Sequence, residues 1–102
     1  GGVSTLVVVE EGFPYAVVDA QGVYAEGGEE PKTDLIVVGD RLTAVNGIST
    51  VSLFLDEVKS LVHGPPGTGV GLSFLRGGSE ARPVTVRLRR HFALEEEDQA
   101  SP

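Results

Sequence analysis

The 102-residue sequence contains no cysteine, so the protein forms neither a disulfide framework nor a thiolate metal site. Long apolar runs are also missing, since none approaches the roughly 20 consecutive apolar residues that a membrane-spanning helix needs. The absence of cysteine permits a reducing compartment without marking one. Our expectation is a cytoplasmic protein that is not inserted in a membrane and could associate with one through a partner.

Positive charge is scarce, with 8 Lys and Arg against 15 Asp and Glu and a net charge of -7. Nucleic-acid binding needs clustered Lys and Arg that displace counterions from phosphates. The one basic cluster, Arg87, Arg89 and Arg90, alternates along a predicted strand and is followed by acidic residues 95–98. This pattern favours a solvated strand face, and no nucleic-acid partner is expected.

Residue patterns for catalysis or metal binding are missing as well. Neither His63 nor His91 stands in metal-ligand spacing with another histidine, and no serine lies in a Gly-x-Ser-x-Gly context. Asp56 and Glu57 are neighbours on a predicted helix, where their side chains point in different directions. We expect no catalytic residue, metal or cofactor, and hence no enzyme activity.

Glycine and proline are plentiful, with 14 and 6 residues respectively, which is typical of short strands joined by tight turns. The predicted structure is therefore mostly β. An apolar run over residues 35–38 before Gly39-Asp40, together with the Asn46-Gly47 turn, indicates a hairpin. One short helical turn is expected around Tyr24 and Ala25. Alternating or β-branched patterns predict strands over residues 4–10, 15–20, 41–45, 70–76 and 84–90.

A single long helix is predicted over residues 53–63, with Ser52 as its N-cap. The turn Gly64-Pro65-Pro66 ends it. After the last predicted strand the chain is acidic and lacks periodicity, so we predict one folded domain over residues 1–92 and a disordered tail over 93–102. The helix carries an apolar stripe that must pack on a sheet, formed by Leu55, Val58, Leu61 and Val62.

Three segments in order resemble the PDZ family. Residues 35–47, LIVVGDRLTAVNG, are similar to a family segment that consists of an apolar residue, a Gly-Asp turn, a strand and an Asn-Gly turn. Residues 22–25 fit the family's Gly-x-x-Ala, and residues 55–76 resemble its groove helix, Gly-Pro-rich turn and closing strand. The resemblance covers residues 3–90. It is greatest to the circularly permuted type found in C-terminal-processing and HtrA-like proteases and in some eukaryotic scaffold proteins.

The resemblance implies a mostly β (α+β) fold. This fold is a partly open, five- to six-stranded antiparallel β-barrel or sandwich capped by one long and one short helix. It also implies a function, the binding of a partner protein's C-terminal peptide by strand addition between strand 3–10 and helix 53–63. Site positions carried over from the family are a carboxylate-binding loop (Gly2, Val3, Ser4, Thr5), a peptide-binding strand (Leu6, Val7, Val8, Val9) and a groove helix (Leu55, Val58, Lys59, Val62).

The same resemblance implies ligand preferences. Leu55 takes the position that favours an apolar third-last ligand residue, and Lys59 would attract an acidic or polar side chain. Val62, with Val3 and Leu6, would wall a pocket for an apolar last residue. We expect a monomer or weak dimer whose partner is the tail of another protein.

Three alternatives stay open. The carboxylate-binding loop could instead use residues 12–15, although Pro14 lacks the N–H that such a loop offers. The domain could present substrates to the catalytic domain of a C-terminal-processing or HtrA-like serine protease. Finally, its loop could have lost carboxylate binding, so that the domain dimerises or binds internal segments through its strand edge.

Overall fold

The computed structural model describes residues 4–9, 15–21, 23–30, 35–78 and 80–96. They form a curled, mainly antiparallel half-barrel sheet with one helix, which confirms the mostly β class. Six of the strands have five or more residues. The elements are β1 (Ser4–Val9), β2 (Tyr15–Gln21), β3 (Tyr24–Ala25), β4 (Arg41–Val45), β5 (Ile48–Ser49), α1 (Leu55–Val62), β6 (Gly69–Arg76), β7 (Arg82–Arg89) and β8 (Phe92–Glu96).

The connection between β7 and β8 shows why the sheet curls. The strand order is β3-β7-β6-β4-β2-β1-β8, with β5 paired to β4. Strands in a flat sheet lie about 4.8 Å apart, so β7 and β8 would be separated by roughly 24 Å. Only Arg90 and His91 join them, and this short connection spans at most about 10 Å. The sheet must therefore bend round until its two ends approach.

The predicted turn at Asn46-Gly47 is confirmed, and it joins β4 to β5. Asn46 and Gly47 both have positive φ, 50° and 80°, as the favoured two-residue hairpin turn requires. The Asn46 side chain also accepts a hydrogen bond from the Gly71 amide at 2.8 Å. This turn is thereby fixed to the neighbouring β6.

Residues 35–38 form bends and a turn, so the expectation that this apolar run is part of a hairpin was wrong. Asp40, which is buried, accepts a hydrogen bond from the Val37 amide at 3.0 Å through its carboxylate. The Asp40 amide in turn donates to the Val37 carbonyl. These local bonds give the backbone partners that a strand would otherwise need.

The expected helical turn at Tyr24 and Ala25 is also wrong, because these residues form β3 and pair with the end of β7. The Arg89 guanidinium lies 4.5 Å from the centroid of the Tyr24 ring, a cation–π contact that favours the extended pairing. The described residues therefore contain one helix rather than a long and a short one.

The long helix is confirmed with different ends. It begins at Leu55 with Phe54 as N-cap, not Ser52, because the Glu57 carboxylate accepts the Phe54 amide at 3.1 Å. It ends at Val62, with His63 as C-cap, one residue before the predicted Gly-Pro-Pro stop. The helix packs on a core that includes Leu6, Val8, Tyr15, Val17, Leu42, Val45, Leu55, Val58, Val62, Val70, Leu72, Phe74, Leu88 and Leu94.

The predicted disordered tail is wrong for its first residues. Phe92–Glu96 form β8 and belong to the sheet, whereas residues 97–102 lie outside the described part. The physical reason is that Leu94 buries its side chain in the core, which offsets the cost of ordering an acidic segment.

Candidate functional site

The strand edge beside the helix, which the proposed peptide addition requires, is covered by the chain itself. β1 pairs with β2 on one side and with β8 on the other. β8 runs parallel to β1, with Ser4 opposite Phe92, Leu6 opposite Leu94 and Val8 opposite Glu96. The expectation of an open β1 edge is therefore wrong for this conformation. The same pairing shows that this edge accepts an extended segment.

The residues predicted to form the strand side of the site divide into two groups. Leu6 and Val8 are fully buried in the core, and the backbone of residues 4–8 pairs with β8. Val9 pairs with Ala16 of β2. Among the four predicted loop residues, Ser4 and Thr5 belong to β1, whereas Gly2 and Val3 lie outside the described residues. In the alternative loop, residues 12–14 also lie outside the described residues, and Tyr15 is a buried residue of β2.

The predicted helix residues also differ in role. Leu55, Val58 and Val62 are buried core residues, and Lys59 and Val62 line a cleft between α1 and β8. The cleft has a volume of about 390 Å³. The remaining lining residues are Ser60, His63, Phe92 and Leu94. The structure thus brings Lys59 and Val62 of the predicted helix set to a cleft, whereas Leu55 and Val58 belong to the core alone.

Phe92 and Leu94 are the site residues that sequence reasoning missed. They are separated by one residue, so both point to the same side of β8, and both line the cleft against α1. Their period-two spacing is the one available sequence signal for this strand. Two apolar residues at this spacing are too few to predict a strand when an acidic run follows them.

Arg90 fixes the start of β8 to the end of α1. Its guanidinium donates to the carbonyls of Val62 at 2.9 Å, Leu61 at 3.4 Å and Gly69 at 3.1 Å, and to the Thr68 hydroxyl at 3.0 Å. Carbonyls in the last helical turn lack helical partners and carry partial negative charge. The Arg90 guanidinium supplies hydrogen-bond donors to these carbonyls and a positive charge next to them.

Gly64 makes room for this clamp. A Cβ at Gly64 would lie 2.7 Å from the Arg90 Cζ atom, which is closer than ordinary van der Waals contact. Main-chain bonds hold Arg90 as well, since its amide donates to the Thr68 carbonyl and its carbonyl accepts from the Gly67 amide. Glycine at position 64 therefore permits the guanidinium to lie across the helix end.

The other predicted basic-face residues also contact the protein's own side chains. Arg87 forms an exposed ion pair with Glu26 at 3.1 Å, and Arg89 lies over Tyr24. Together with the Arg90 clamp, these contacts mean that all three arginines of the basic cluster contact other residues of the protein. The prediction of a simple solvated face was wrong for Arg90, which is half-buried.

Asp40 and Arg76 form an ion pair in which the carboxylate is buried and the guanidinium is partly buried. Arg76 donates to both Asp40 carboxylate oxygens, at 3.0 and 2.8 Å, and to the Leu35 carbonyl at 3.0 Å. The hydrogen bond to Asp40 is the main cause that raises the pKa of Arg76; burial opposes it, and the attraction of the Asp40 charge adds a smaller increase. The pair fixes the turn before β4 to the end of β6.

Across the described ranges, no three His, Asp or Glu side chains are grouped so that they could hold a metal ion. Within the same part of the chain, no helix is both long and apolar enough to cross a bilayer. Comparison with known proteins finds no matching family model, no matching curated protein and no matching solved structure.

Proposed function

We propose that this protein is a PDZ-type interaction module that binds an extended peptide at the β1 edge beside α1, without enzymatic activity of its own. One observation carries the proposal. β8 adds to that edge as a strand and turns Phe92 and Leu94 toward the helix. Strand addition beside a helix, with alternate side chains in a cleft, is an established mode of peptide recognition.

The register of β8 agrees with the ligand preference inferred from sequence. A peptide antiparallel to β1, with its last residue opposite Ser4, would place its third-last residue opposite Leu6. In the structure these positions hold Phe92 and Leu94, two apolar residues. Apolar last and third-last ligand residues therefore suit the space, whichever direction the added strand runs.

A partner's terminal carboxylate would then lie beyond Ser4, toward the predicted loop at Gly2 and Val3. That loop stays a prediction because these residues are outside the described part. Lys59 and His63 line the cleft near its apolar floor. A lysine ammonium and an imidazole there favour an acidic or polar ligand group, in line with the role expected of Lys59.

The expected affinity follows from the few groups involved. Two buried apolar side chains contribute about 3–6 kcal/mol, charge-assisted hydrogen bonds to the terminal carboxylate contribute about 1.5–3 kcal/mol each, and ordering a flexible peptide offsets part of this gain. A dissociation constant in the micromolar range corresponds to about -8 kcal/mol. The interaction is expected to be transient.

Fluorescence polarisation with a labelled synthetic peptide tests the proposal. The peptide ends in Leu-Ala-Phe with a free carboxylate, and its amidated copy is the control. We expect micromolar binding of the free acid and about tenfold weaker binding of the amide. Equal affinity would eliminate terminal-carboxylate recognition. Binding of neither peptide, even at millimolar protein, would contradict the binding of such a peptide by the wild-type protein.

The Lys59→Glu variant tests the position of the cleft. The charge reversal should weaken an acidic copy of the peptide at least about threefold, whereas Arg82→Glu, an exposed position at the start of β7, should leave its affinity unchanged. Equal losses in both variants would indicate a general charge effect and remove Lys59 from the site.

A further inference from the structure

We infer that β8 is a displaceable internal ligand, so that the β1 edge binds another peptide only when β8 leaves it. This inference rests on the proposed function and adds its regulation. β8 occupies the edge through five backbone positions, and its Phe92 and Leu94 side chains line the cleft against α1. A guest strand on β1 and β8 on β1 are therefore mutually exclusive.

Several features of β8 make it the removable part of the sheet. It is five residues long and is the terminal strand in the sheet order. Its pairing is parallel, which is slightly less stable per residue than antiparallel pairing. Acidic residues follow directly in a chain that already carries a net charge of -7. Local opening is easiest for short terminal elements with few buried side chains.

The attachment point of β8 is fixed independently of β1. Arg90 is held by the helix end through its side chain and by the Gly67–Thr68 turn through its main chain. His91, the next residue, is exposed. When β8 is released, the chain can therefore turn after Arg90. Arg90 keeps its bonds to the end of α1, and β6 stays paired with β7.

Displacement has a quantitative consequence. If a fraction f of molecules has β8 released, the apparent dissociation constant for an external peptide is the intrinsic constant divided by f. Release of β8 should therefore tighten binding, and a covalent lock should abolish it. Because β8 is tethered close to β1 through Arg90, its effective concentration at the β1 edge is high. The form with β8 paired to β1 is therefore the major one.

A reversible disulfide tests the inference within one protein. Thr5 and Ala93 are direct Cα partners of β1 and β8, within the separation of about 7 Å below which a disulfide can form. The chain has no native cysteine, so Thr5→Cys with Ala93→Cys creates one possible bridge. Binding of the Leu-Ala-Phe peptide is measured for the oxidised and reduced forms of this full-length variant.

A second variant releases β8 instead of locking it. Leu94→Glu places a charge at a side chain that is only 8% exposed, which should expel β8 from β1. Ala81→Glu adds the same charge at an exposed position in the β6–β7 connection and is the matched control. Circular dichroism confirms that each variant is folded. If Leu94→Glu does not fold, the disulfide pair still tests the inference.

We expect the oxidised form to bind at least about tenfold more weakly than the reduced form, and Leu94→Glu to bind about tenfold more tightly than wild type. Ala81→Glu should match wild type. Equal affinity of the oxidised and reduced forms would overturn this inference while leaving the proposed function standing. Absence of binding in every form, including folded Leu94→Glu, would overturn the proposed function and this inference with it.

Discussion

Leu94 of β8 lies directly opposite Leu6 of β1, and both side chains are buried in the same core. A strand that the sequence presents as the start of an acidic tail is thereby part of the sheet. The pair also stands at the edge where the proposed peptide would add. Under this proposal, stability and ligand access depend on the same few residues.

The Arg90 clamp should contribute measurably to stability. Arg90→Ala removes a cation that satisfies carbonyls of Leu61, Val62 and Gly69, and it should lower the free energy of unfolding by about 2 kcal/mol. Urea denaturation measures the change. Arg90→Lys keeps the charge but loses the planar fork, and should recover less than half of the loss. Full recovery by lysine would show that charge alone matters.

Gly64→Ala should destabilise the protein through Arg90. The new methyl group would meet the guanidinium and displace it, with an expected loss of about 1–2 kcal/mol. In a double-mutant cycle, the same substitution made in Arg90→Ala should cost much less. An undiminished cost in that background would show that the clash involves other atoms.

The buried ion pair should matter far more than the exposed one. Asp40→Asn weakens the two bonds from Arg76 and leaves a partly buried cation without its counter-charge, which should cost about 2–4 kcal/mol. Glu26→Gln breaks the solvent-exposed pair with Arg87 and should cost under about 1 kcal/mol. Urea unfolding of both variants gives the comparison, and similar losses would contradict this ranking.

Tyr15→Phe removes the hydroxyl group from a buried ring. The Tyr15 hydroxyl donates to the Leu53 carbonyl at 2.7 Å, which ties β2 to the segment leading into α1. Its removal should cost about 1–2 kcal/mol, because the carbonyl loses a partner while the ring still fills its space. Thermal unfolding checks this value. A change below a few tenths of a kcal/mol would mean that water replaces the hydroxyl.

Local chemistry made much of the fold predictable. The Asn46-Gly47 turn, the strands with alternating apolar residues and the helix stop before Gly64 all depend on near neighbours in sequence. The helix start was misplaced because it depends on Glu57 reaching back to the Phe54 amide. The run at residues 35–38 was misjudged because Asp40 side-chain bonds replace strand pairing.

The candidate site was less predictable, because it depends on contacts between distant residues. Pairing of Leu6 with Leu94 joins opposite ends of the sequence, and no local pattern specifies it. The alternating pattern likewise predicts that Arg90 is a strand residue, whereas its contact with the end of α1 depends on a residue far away in the sequence. Lys59 and Val62 were named as groove residues from the positions of the PDZ family, and both line the cleft on the side of α1 that faces β8.

Heteronuclear NMR of the full chain, titrated with the free-acid Leu-Ala-Phe peptide, tests the central claim most directly. We predict that amide signals of β1 and α1 shift with increasing peptide, while those of β8 move to positions typical of unpaired chain. Signals of the paired centres of β6 and β7 should stay unchanged. Saturating peptide binding that leaves the β8 signals in place would contradict strand addition at the β1 edge.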